Sequence, residues 1–154
     1  MISFEIAEAI RMSKARYCRY VDSKLWDELE GLMMPEAKFK FFGAGGEILY
    51  EFASAKAMIE LSAAALAGAR TSHRVCNSEL RELSQGSVSA IWAMEDYLVF
   101  PRGIDRSPRT MRGYGHYHEI WQEKKGVWLL AELNLERQIL EFQPEEPEPR
   151  NALS

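Results

Sequence analysis

The apolar residues of the first twenty positions recur at helical spacing. Ile6, Ile10, Ser13, Tyr17 and Tyr20 or Val21 fall on one stripe, Ser3 can cap it, and Glu5 suits the positive end of a helix, so the pattern predicts a helix over 3–21. Ser23 is a second cap candidate, and Leu25, Trp26, Leu29, Leu32 and Met33 predict a second helix that Pro35 stops. The period then changes. Phe39, Phe41 and Phe42 read as a short strand, the glycines between Gly43 and Gly46 as a turn, and Ile48 to Phe52 as a further strand. Ser54 opens an alanine-rich third helix with Gly68 as its terminator. From Thr71 onward the chain alternates as four strands: Thr71 to Leu83, Ser87 to Phe100, Met111 to Glu123 and Val127 to Phe142. Short turns at Gln85-Gly86 and Lys124-Lys125-Gly126, with a longer polar loop from Pro101 to Thr110, make consecutive strands antiparallel neighbours. Two or three helices followed by a long meander define an α+β fold. Its helices lie on one face of a strongly curved, cone-shaped antiparallel sheet and enclose a cavity.

Length and charge narrow the class. A chain of 154 residues fits one domain, assigned here to 1–142, with an acidic, proline-rich tail at 143–154. The net charge of −4 argues against nucleic acid as a partner, because that partner wants a basic surface. Glu5 and Glu8 interrupt what would be the apolar core of a signal peptide, and Lys56 and Glu60 break the best apolar run, Ala53 to Ala69, so neither export nor membrane insertion is expected. Cys18 and Cys76 have no metal-ligand spacing and read as reduced thiols of a cytoplasmic protein.

Several positions carry candidate chemistry. Asp22 falls at the junction of the first two helices, where it either caps the second or points into a cavity; Ser23 is the better cap, which frees Asp22 for the cavity. His73 begins a long strand, where a lone histidine is either a satisfied structural residue or a base. Asp96 alternates with Trp92, Met94 and Leu98, and Glu95 with Ile91, Ala93 and Tyr97. Both faces are largely apolar, and the company of Trp92 and Met94 favours Asp96 as the inward carboxylate, which then needs a partner; the other reading is a plain salt bridge or a hydrogen bond to the backbone. Arg137 shares parity with Leu133 and Leu135; it can neutralise Asp96, bind an anionic substrate group or form a surface ion pair. In GYGHYHEIW, Tyr114, His116 and His118 share one face and Tyr117, Glu119 and Trp121 the other. The His-x-His spacing suits a metal, with Asp96 or His73 as further ligands, but no matching downstream histidine exists. The preferred expectation is no metal, with one of the two histidines lining the cavity. The glycine turn at Gly43 lacks the Lys-Ser/Thr of a phosphate loop, and no Gly-x-Ser-x-Gly element is present.

The stretches VDSKLWDELEGLMMPEAKFKF, TSHRV, WAMEDYLVF, GYGHYHEIW and GVWLLAELNLERQ, in this order, resemble the SnoaL-like group of the nuclear-transport-factor-2-like superfamily over residues 4 to 142. That fold hosts many activities, among them cofactor-free lyases and isomerases. The resemblance pairs Asp22 with His73, as in the base pair of hexachlorocyclohexane dehydrochlorinase. It puts Asp96 and Arg137 near the carboxylate and arginine of bile-acid 7α-dehydratase-like members. Scytalone dehydratase has a tyrosine just before its aspartate; here that position is Val21, which leaves the water-holding role to Tyr17 or Tyr20. The resemblance thus implies a cofactor-independent dehydratase or isomerase acting on a small hydrophobic cyclic molecule. His73, Asp22, Asp96 and Tyr17 would carry catalysis, and Tyr20, Trp92, Tyr114, His116, His118 and Arg137 would contact substrate. It also implies a homo-oligomer, dimer or trimer. A noncatalytic ligand-binding or oligomer-supporting cone module is the other reading, and a cavity filled by Trp92, Met94 and phenylalanines would favour it.

Overall fold

The structure, a computed structural model, describes residues 2–103 and 108–144. Helix α1 spans Phe4–Ser23, with the Ser3 hydroxyl accepting from the Ile6 N–H as its cap. It runs past the expected end because Lys24, not a glycine, takes the left-handed conformation (φ 58°) that stops it. The Lys24 N–H then donates to Val21 O at 3.2 Å and the Leu25 N–H to Tyr20 O at 2.9 Å, the paired closure of a Schellman end. Asp22 and Ser23 therefore lie inside the last turn of α1, and neither caps the next helix. That helix, α2 (Trp26–Glu30), starts at Leu25 with no side-chain cap. It also ends before Pro35, which sits in strand β1 (Met33–Phe42) where the ladder to its neighbour is interrupted between Met33 and Lys38, so its missing N–H costs no ladder bond.

Strand β2 (Ile48–Phe52) pairs back on β1, and α3 (Ala55–Ala65), capped by Ser54, crosses to the meander. The meander comprises β3 (Arg70–Ser84), β4 (Ser87–Val99), β5 (Thr110–Lys124) and β6 (Val127–Gln143). The six strands form one curved sheet in the order β2-β1-β6-β5-β4-β3. Every neighbouring pair is antiparallel except β1 and β6, which run parallel. No turn joins that pair, so hairpin geometry does not set its direction. The tail beyond residue 144 and residues 104–107 of the arginine-containing loop lie outside the described residues.

The concave face is read off β4, where Val88, Ala90, Trp92, Met94, Asp96 and Leu98 are buried and their neighbours are not. Ile10, Tyr17, Cys18 and Val21 of α1 and Ala55, Met58 and Ile59 of α3 close over it. No helix among the described residues is long and apolar enough to cross a membrane.

Candidate active site

The last turn of α1 presses Asp22 against the start of β3. Asp22 Oδ2 accepts the His73 backbone N–H at 2.9 Å, while Oδ1 lies 2.7 Å from His73 Nδ1 and accepts the Thr71 hydroxyl at 2.8 Å. Lys24, placed by the left-handed end of the helix, donates to Thr71 Oγ1 at 2.9 Å. An ammonium has no acceptor, so the Thr71 hydroxyl proton must point to Asp22. Burial pushes the Asp22 carboxyl up, but the hydrogen bonds from the His73 side chain and backbone and from Thr71 outweigh it and hold the group below its ordinary value. Asp22 is then an ionised acceptor, which in the neutral imidazole holds the His73 proton on Nδ1 and leaves Nε2 as the acceptor.

His73 lines a cavity of about 230 Å³ on the concave face. Most of the wall is apolar: Leu29, Phe41, Phe52, Met58, Leu98 and Leu135 all contribute. Set against it are His73, Asp96, Arg137, Tyr17 and Tyr117. Asp96, directly opposite Gly113 in the β4–β5 register, forms a two-pronged ion pair with Arg137 of β6: Nη1 to Oδ1 at 2.9 Å and Nη2 to Oδ2 at 2.6 Å. Both side chains are nearly sealed, at 2% and 10% exposed. Burial alone would make the guanidinium give up its proton more easily, but Asp96 overcompensates and holds Arg137 more firmly protonated than usual. His73 Nε2 stands 4.0 Å from Asp96 Oδ2, so the imidazole lies between two carboxylates. A β-carbon on Gly113 would fall 1.7 Å from Arg137 Nη1 and 2.3 Å from Asp96 Oδ1, so the missing side chain is the space the pair occupies.

Of the expected site residues, the structure brings Tyr17, His73, Asp96 and Arg137 to one cavity; Asp22 does not line it and stands behind His73, to which it is hydrogen-bonded. The other expected contacts lie elsewhere. Tyr114, His116 and His118 are on the convex face, because the concave face of β5 is Gly113, Gly115, Tyr117, Glu119 and Trp121. Tyr114 borders a polar outer hollow with Arg74, Glu95 and Arg112, and His118 Nε2 lies 3.6 Å from Glu136. Tyr20 packs on the edge of the core under the Arg19 guanidinium. Trp92 faces inward but below the cavity, where its indole N–H donates to Glu119 Oε2 at 2.7 Å. Among the described residues no three His, Cys, Asp or Glu converge as metal ligands. Tyr117, Lys14 and Glu119 did not stand out in the sequence reading, although the parity of Gly113, Gly115, Tyr117, Glu119 and Trp121 carries the signal. The two glycines look vacant in the sequence, and the space above Gly113 is filled from β4 and β6.

A helix-covered, curved sheet with a polar cluster at the floor of an apolar cavity defines a cone-fold, nuclear-transport-factor-2-like protein. Residues 3–134 match the SnoaL-like domain family, and the chain belongs to it. Among its relatives, probable cyclase FGR4 of Gibberella zeae is 28% identical over 144 residues, covering 88% of this chain and 93% of that protein. The fold superposes on the crystal structure of a type 2 hexachlorocyclohexane dehydrochlorinase (LinA), with a TM-score of 0.76, 15% identity, and 97% and 96% of the two chains covered. It also superposes on a Novosphingobium aromaticivorans protein provisionally named a scytalone dehydratase, with a TM-score of 0.75, 15% identity, and 96% and 95% covered.

Proposed function

We propose that this protein is a cofactor-independent lyase, a dehydratase, or an isomerase that works by general acid/base catalysis on a small hydrophobic cyclic substrate. The observation that carries the reading is His73: its Nδ1 is tied to an ionised Asp22, and its free Nε2 belongs to an apolar cavity. In dehydration, Nε2 takes a proton from a carbon made acidic by a neighbouring carbonyl. The C–H electron pair becomes the new double bond, and the hydroxyl on the next carbon leaves as water, protonated by the imidazolium. In isomerisation the same proton returns at another carbon. Asp22 stabilises the imidazolium in between, and a base so positioned is worth ~10²–10⁴ in rate. Tyr17 supplies a donor for the oxygen on which charge develops. Arg137 serves the site through Asp96 and is not free to hold an anionic substrate, since Asp96 takes both of its terminal nitrogens.

The cavity is smaller than the ~300–1,000 Å³ of drug-sized pockets, which supports a ligand of one or two rings. Ring closure, dehydration and double-bond migration all begin with the same proton abstraction, so the likeness to a cyclase and to a dehydrochlorinase fits this reading. The convex face exposes Tyr97 and Ile139, which supports a homo-oligomer. The test is a thermal-shift screen of ring ketones, hydroxysteroids and aromatic polyketides, followed by turnover of the hits. His73→Ala is expected to fold and bind but not to turn over; an active His73→Ala protein overturns the proposal.

A further inference from the structure

Lys14 and Glu119 form an ion pair in which both side chains are completely buried, and the acid/base mechanism does not use it. Glu119 spends its second oxygen on the indole N–H groups of Trp92 (2.7 Å) and Trp121 (2.8 Å), so the carboxylate is held from three sides. The ammonium of Lys14 also lies 3.5 Å from the ring centre of Tyr117 and 4.2 Å from that of Tyr17. The two rings meet edge to face, 6.3 Å apart at 70°. Lys14, Tyr17 and Val21 are all buried at helical spacing on α1, which puts the cation beneath the tyrosines. A buried ion pair is a poor stabiliser, since an apolar pair of similar shape often does as well. What it does supply is a fixed point charge that clamps two aromatic rings.

Those rings have a further property. Both residues line the cavity, yet neither hydroxyl has a hydrogen-bond partner among the described residues. Among the described residues no buried side-chain oxygen or nitrogen is both sealed from solvent and unpartnered, so the two hydroxyls are not sealed, although Tyr17 and Tyr117 are only 4% and 2% exposed. They open onto the cavity. Burial, foremost, keeps both phenols protonated far above neutral pH, and Tyr117 is close enough to Asp96 and Arg137 to respond to both charges. The geometry points to Tyr17 and Tyr117 as a paired donor site for one ligand oxygen, a carbonyl or hydroxyl, with Lys14 as the positioning residue that orients both rings from behind. The inference rests on the reading of this cavity as the ligand site and specifies the polar end of the ligand.

The test compares a two-ring ketone, β-tetralone, with its oxygen-free counterpart, tetralin, by calorimetry or fluorescence titration. One hydroxyl donating to the ketone is worth about two- to tenfold in affinity. Tyr117→Phe is expected to lower the ratio of ketone to hydrocarbon affinity by that factor and to leave tetralin unaffected. Lys14→Gln combined with Glu119→Gln removes both charges while keeping a donor and an acceptor, and is expected to lower the same ratio. A merely structural role would weaken both ligands together, and that parallel loss, or an unchanged ratio in folded variants, overturns the inference while leaving the cavity reading intact. If the double variant does not fold, Tyr117→Phe decides alone: a lowered ratio supports the paired donors and an unchanged one overturns them. A wild-type protein that binds neither compound overturns both the inference and the reading beneath it.

Discussion

Gly113→Ala is the sharpest single perturbation of the site. The added methyl would sit 1.7 Å from Arg137 Nη1 and 2.3 Å from Asp96 Oδ1, against the ~3.5 Å of an ordinary contact, so the guanidinium must retreat by roughly 1.5–2 Å. Strand pairing holds both backbones, since Asp96 is opposite Gly113 and Arg137 opposite Gly115. Hydrogen bonds of 2.9 and 2.6 Å do not survive such a shift, and at least one is lost. Removing one partner of a buried pair costs about 3–5 kcal/mol; here both charges remain and the cavity admits water, so about 2–3 kcal/mol is expected. For a domain of this size that lowers Tm by about 5–10 °C. Thermal unfolding followed by circular dichroism measures it, with Gly31→Ala as the control, because Gly31 has an ordinary helical φ of −63° and a nearest contact of 3.4 Å. In an Arg137→Ala background the cost of Gly113→Ala should fall by more than half, since the clashing nitrogens are gone. A Tm within about 2 °C of wild type, or fully additive losses, would refute the packing argument.

Two further outcomes follow from the same geometry. The Asp22 carboxyl is held below its unfolded value of about 3.9, so the fold favours the ionised form, and its contribution to stability is present above that value and lost as pH falls through the folded one. Asp22→Asn should therefore flatten the acid limb of Tm against pH below about pH 4, and an unchanged difference between the two proteins down to pH 2.5 would contradict this. His116→Ala and His118→Ala alter the convex face, where His118 is 40% exposed, so each should change stability by less than about 0.5 kcal/mol and leave ligand affinity unaltered in the same titrations. Lost affinity in either would return the outer face to the site.

What the sequence determined was the order and period of the elements, because burial of one face writes itself directly into alternation. Parity divides β4 into two largely apolar sets, and the company of Trp92 and Met94 favours Asp96 as the inward carboxylate; burial then puts Trp92, Met94, Asp96 and Leu98 inside and leaves Glu95 outside, 3.2 Å from Arg74. A family likeness then linked Asp22 with His73 across 51 positions, which no local pattern can do. Only the tertiary structure decided the rest. Asp22 could be placed only once a left-handed Lys24, rather than a glycine signal, ended α1 and aimed its last turn at β3. Parity separates Tyr114, His116 and His118 from Gly113, Gly115, Tyr117, Glu119 and Trp121 on β5, but does not say which of the two sets is inward. Gly113 is on the cavity side because Arg137 and Asp96, from two other strands, need its empty space. Lys14 and Glu119 look in the sequence like solvated charges; a distance of 105 positions separates them, and burial makes sense only once each is seen to neutralise the other. Period and parity are local properties of the chain, whereas pairing of buried charges is a property of the packed interior.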